Sequence, residues 1–179
     1  TTGDYNIAIG SYALDATTSG SGNVAVGHQA LTALTTGVHN VAIGQSALDA
    51  IDVEHFNVAI GYSALSAEDG HGLNVAVGSQ ALRVQNAGAN AYNVAVGYNA
   101  GGAVTSGTFN SLVGGLAGDA LTDADYNTAL GYQALTSDTL GSLSVAIGGF
   151  ALSAQNFTTA TNSFNTAVGY TAGAAITTG

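Results

Sequence analysis

Side chains that could hold a metal gather in one stretch of the chain: Asp52, Glu54 and His55, followed by Asp69 and His71. The two groups lie 17 residues apart, so a fold repeating at that interval sets Asp52 on Asp69 and Glu54 on His71. Carboxylates and imidazoles suit zinc, and carboxylates alone suit calcium. Glu54, His55 and His71 are therefore candidate ligands. The plainer reading, a solvated polar loop edge, is preferred, and no metal or cofactor is expected. Asp123-Ala124-Asp125 could hold calcium with less support still. No Ser-His-Asp or Cys-His arrangement recurs at a fixed interval, so the chain is not expected to be an enzyme.

Aromatic residues offer a second kind of chemistry. Tyr62, Tyr98, Tyr132 and Tyr170 share one spacing, and Tyr5, Phe56, Tyr92, Phe109, Tyr126 and Phe164 share another. A tyrosine presents a flat apolar body with a polar tip, so such rows could bind a glycan or a protein. Otherwise they cover hydrophobic edges at turns or lie between chains. Tyr62, Tyr98, Tyr132 and Tyr170 are the candidate ligand-binding residues.

The element that positions these rows is a repeat. The phrase Asn-Val-Ala-Val-Gly-x-x-Ala-Leu returns ten times across residues 1–179, as a single array. Its first position (0) is Asn6, Asn23, Asn40, Asn57, Asn74, Asn93, Asn110, Asn127 and Asn165, with Ser144 in the ninth place. Seven of the nine intervals are 17 residues, and those ending at Asn93 and Asn165 are 19 and 21. A short fixed period marks a solenoid, in which each copy is one coil.

Position +4 is glycine in every copy (Gly10, Gly27, Gly44, Gly61, Gly78, Gly97, Gly114, Gly131, Gly148, Gly169), and +7 is always alanine. Positions +1 to +3 read as a short β-strand with Val or Ile on one side and Ala on the other. The +3 side is expected to be buried. The Ala/Gly side leaves so little volume that another backbone must approach there. The rest of each copy reads as a second short strand and a turn-forming loop. Stacked Asn amides are expected to hydrogen-bond from coil to coil. Helix is excluded because a glycine interrupts every unit and no 3.6-residue pattern survives.

The motif Asn/Ser-Val-Ala-Ile/Val-Gly-x-x-Ala resembles the head repeats of trimeric autotransporter adhesins, the YadA-like family, most literally at Ser144-Val145-Ala146-Ile147-Gly148. The Asn-Thr-Ala-Val-Gly-Tyr segment at Asn165–Tyr170 is similar to repeat arrays of phage tail-fibre-like proteins. The resemblance covers nearly the whole chain. It implies a left-handed parallel β-roll of about ten coils, three chains side by side, projecting from a surface to bind host glycan or matrix protein. The family's heads commonly use a shorter repeat than 17 residues, so the loops here are longer.

Composition sets bounds on the function. Eleven acids against one base (Arg83) give a net charge of −10, which disfavours nucleic acid and anionic membranes as partners. Cysteine is absent, which excludes disulfide staples and thiolate metal sites. No apolar run is long enough to span a bilayer. The expected protein is an extracellular structural fibre or adhesin segment, on a cell surface or a virion, whose main partner is itself. It is a piece of a longer array or a subunit stacking end to end into filaments. An ice-binding surface would need a regular Thr array, and Thr17, Thr18, Thr35 and Thr36 have no counterparts in most coils.

Overall fold

The computed structural model describes residues 2–68 and 72–178. It is all-β, a β-solenoid whose successive coils place one three-residue strand each into a single parallel sheet. The strands are β1 (Ile7–Ile9), β2 (Val24–Val26), β3 (Val41–Ile43), β4 (Val58–Ile60), β5 (Val75–Val77), β6 (Val94–Val96), β7 (Ser111–Val113), β8 (Thr128–Leu130), β10 (Val145–Ile147) and β12 (Thr166–Val168). Between them, β9 (Gly141–Ser142) pairs with β11 (Thr161–Asn162) in a small second sheet. Register never slips. Val75 pairs with Val94 across the 19-residue interval, and Val145 with Thr166 across the 21-residue one. The extra residues are absorbed outside the main sheet.

The strand faces are the reverse of the sequence expectation. The +2 alanines point into the coil and are fully buried from Ala25 to Ala146, as is Leu112 in the same place. The Val and Ile side chains at +1 and +3 point out, half-buried or exposed. A 17-residue coil is narrow. Its far wall already projects leucine at +8 and a second large residue at +11 into the interior, such as Leu31 with Leu34 and Leu48 with Ile51. That leaves only alanine-sized room for the strand and for Ala at +7. Alternation shows that two faces differ, not which one is inside.

The backbone that approaches the +4 glycines is the next coil of the same chain. A Cβ built on Gly97 would overlap the carbonyl oxygen of Gly114, and Gly114 stands in the same relation to Gly131. These glycines have φ between 125° and 141°, a region open in practice only to glycine. Among the described residues the expected second strand does not form at the +7 to +10 alanines and leucines. In its place +6 and +8 also adopt left-handed φ, 49–62° at +6 and 47–56° for the seven leucines at +8. Alternating backbone handedness curls the chain instead of extending it, and turns each leucine inward.

One compensation explains two of the three glycines at +8. Gly101 and Gly118 replace leucine there, and a Cβ on either would lie 2.7 and 2.8 Å from the Leu112 methyls. Leu112, the one large residue at +2, fills the volume that both neighbours vacate.

Candidate functional site

The Asn column lies inside the coil. Each Oδ1 accepts the backbone N–H of the next column residue, at 2.8–3.0 Å, in an unbroken series from Asn6 to Ser144. The Nδ2 groups donate to loop carbonyls 14 residues on, as from Asn23 to Gly37 and from Asn110 to Ala124. Asn6, Asn23, Asn40, Asn93, Asn110 and Asn127 therefore join their own coil's closing turn to the following coil, while Asn74 Nδ2 donates to Glu68 Oε2 at 3.3 Å. Asn165 in the last coil donates instead to Gln155.

Sequence reasoning missed the polar residues at +11. Apolar in five of the ten coils, this position is buried Glu68 and Gln85 in coils four and five, and buried Asp138 and Gln155 in coils eight and nine. The second member of each pair sits in a lengthened coil. Gln155 Nε2 donates to Asp138 at 2.6 Å and to Ser144 Oγ at 2.9 Å, while Asp138 accepts from Gly141 N and Phe157 N. Gln85 Oε1 accepts from Asn93 Nδ2 at 2.7 Å. These side chains stitch the displaced loops back to the interior. The signal in the sequence was the coincidence of a polar +11 with a changed interval.

The proposed metal ligands do not assemble among the described residues. His71 and Asp69 lie outside them. His55 Nδ1 accepts the Val38 N–H at 2.9 Å, Asp52 accepts from the Thr35 hydroxyl, and buried Glu54 accepts the Val53 N–H through Oε2. Asp125 Oδ1 is occupied by the N–H and hydroxyl of Thr108. No group of three or more His, Cys, Asp or Glu that could hold a metal is found among the described residues. Burial raises the Asp49 carboxyl above the ordinary range, against lowering hydrogen bonds from its own backbone and Ser46. It belongs to no metal-holding cluster.

The aromatic rows are on the surface. At −1, Tyr92, Phe109 and Tyr126 stack face to face with centroids 5.2 and 4.8 Å apart, and His39 stacks on Phe56. Every −1 residue has a left-handed φ of 51–69°. The rings of Tyr92, Phe109 and Tyr126 cover one another's faces, whereas Tyr5 and Phe164 have Gly22 and Leu143 as their column neighbours.

Position +5 is built differently, and its pattern is another that sequence reasoning passed over. Coils two, four, six, eight and ten carry His28, Tyr62, Tyr98, Tyr132 and Tyr170. Coils one, three, five, seven and nine carry Ser11, Gln45, Ser79, Gly115 and Gly149. Planar rings and small or flexible residues alternate without exception. The five rings are exposed. Beside each ring, +6 supplies an amide or hydroxyl: Gln29, Ser63, Asn99, Gln133 and Thr171.

Through this turn the +6 N–H donates to the +5 carbonyl of the preceding coil, as from Gln80 to Tyr62 and from Leu116 to Tyr98. The ladder holds the rings in register. Phe150 braces Tyr132 and Tyr170 edge-on at 5.5 and 6.0 Å. The Tyr132 and Tyr170 rings lie over Gly115 and Gly149, whose missing side chains make room.

Fold and surface together define a β-solenoid repeat protein with an apolar outer sheet face and exposed aromatic columns. Comparison with protein-family models, curated proteins and solved structures finds no match to this chain.

Proposed function

We propose that the chain is a non-enzymatic segment of a stiff extracellular fibre or adhesin, coiled left-handed and assembled as a homotrimer through its outward sheet face. The observation carrying this reading is that face. Ten in-register strands present Val, Ile or Leu at +3 and Val, Ile, Thr or, once, Ser111 at +1, with Ile43, Val94, Val96 and Leu130 more than a third exposed in the single chain. A straight, mostly apolar stripe running the length of a rod is costly to leave in water and suited to association with copies of itself. The Ala/Gly side is not free for contact between chains, because the alanines face the coil interior and the chain's own next coil packs on the glycines. The resemblance to adhesin heads supports three copies, and its tail-fibre branch supports a virion shaft as the second setting.

Light scattering on a size-exclusion column, with negative-stain images of the same peak, tests the assembly. Three chains in a short rod are expected. Long uniform filaments would favour end-to-end stacking, and a single chain would sink the trimer.

A further inference from the structure

We infer that the alternating +5 column is a binding track for an extended, uncharged β-1,4-linked polysaccharide. The first ground is period. Parallel rungs lie ~4.8 Å apart, so rings on every second coil recur at about 9.5 Å. In a β-1,4-linked ribbon each pyranose advances by about one such rung, and alternate sugars turn the same face the same way. His28, Tyr62, Tyr98, Tyr132 and Tyr170 therefore meet equivalent sugars.

The second ground is chemistry. A pyranose offers an apolar C–H face that an aromatic ring desolvates, and a rim of hydroxyls. The side chain at +6 in each of these coils supplies the hydrogen-bonding partner for that rim. Between rings, position +5 carries only serine, glutamine or glycine, and the Phe150 ring stands edge-on between Tyr132 and Tyr170.

The third ground is rigidity. The +5/+6 backbone ladder and the repeated left-handed φ at +6 fix the spacing before any ligand arrives. A preorganised track loses little entropy on binding. The −1 column lacks this character, because Tyr92, Phe109 and Tyr126 cover one another's faces and Gly22, Leu73 and Leu143 interrupt the rings elsewhere. Charge narrows the class further: a net charge of −10 repels acidic glycans and nucleic acid.

The track deepens the fibre reading by naming what its surface binds, but it is carried by one chain and needs no trimer. Affinity electrophoresis in glucomannan gels, with calorimetric titration of β-1,4-linked gluco-oligosaccharides, tests it. Retention is expected, with affinity rising for each two sugars added. Tyr98→Ala with Tyr132→Ala should weaken binding by about ten-fold per ring, with melting unchanged because both side chains are exposed. Tyr5→Ala, in the −1 column, should leave binding as it was. No retention of the parent chain, retention of acidic polymers alone, or equal loss in Tyr5→Ala would overturn the proposal. Light scattering on the same samples separates the two readings: a single chain that is retained sinks only the trimer, and a trimer that is not retained sinks only the track.

Discussion

Replacing Gly97 with valine is expected to unfold the rod, not merely to separate its copies. The φ of +141° at Gly97 is a conformation that a β-branched residue holds only at a cost of about 1–3 kcal/mol. The new Cβ would also overlap the Gly114 carbonyl oxygen, backbone that cannot swing aside. Relieving the overlap means parting two rungs. That breaks ladder bonds such as Gly114 N to Val96 O, at 2.7 Å, each worth roughly 1 kcal/mol. The sum, on the order of 5 kcal/mol, matches the whole stability of many domains. Circular dichroism melting should show no cooperative transition. Gly169→Val is the control. Its φ is +134°, but the added Cβ would meet only Ala172, at 3.7 Å. It should therefore keep a transition lowered by the strain alone. Equal behaviour of the two variants would refute the packing argument.

Asn93→Ala should be nearly as damaging, for a different reason. Alanine removes the acceptor of the Asn110 N–H (2.8 Å) and the donor to both Gly107 O (2.7 Å) and Gln85 Oε1 (2.7 Å). The side chain is fully buried, so no water takes over, and each orphaned group costs about 1–3 kcal/mol. A loss on the order of 4 kcal/mol should appear as a large drop in the urea midpoint. Asn165→Ala, which removes the bond to Gln155 at a part-buried site, should lose roughly a quarter as much. Because coils contact only their neighbours, hydrogen exchange should rise first around coils five to seven in Asn93→Ala.

Much of the architecture was legible in the repeat. The 17-residue interval fixes the strand at +1 to +3, and invariant glycine at +4 marks a backbone approach. What failed was the direction of the strand. Hydrophobicity favours valine inside, yet volume decides it: Leu31 and Leu34 from the far wall leave only Ala25 room to face in. The supposed second strand failed because leucines such as Leu65 (φ 50°) and Leu82 (φ 47°) hold backbone angles that their residue type disfavours. Only tertiary packing imposes such angles. Of the weak metal candidates, His55 already accepts the Val38 N–H, and His71 lies outside the described residues. The +5 alternation and the polar +11 pairs were in the sequence, but they appear only when copies are compared two coils apart or against coil length.

Solvent access to the outward Val/Ile face tests the central claim most directly. The chain has no cysteine, so a single one can be placed at will. Val96, 36 % exposed in the isolated chain, and Ala160, in the exposed loop of the 21-residue interval, make the pair. If copies meet through the sheet face, Val96→Cys in the native assembly should be alkylated at least about ten-fold more slowly than Ala160→Cys, as burial at an interface core demands. Equal rates in the native assembly would show that the sheet face stays open to solvent, and would contradict the account.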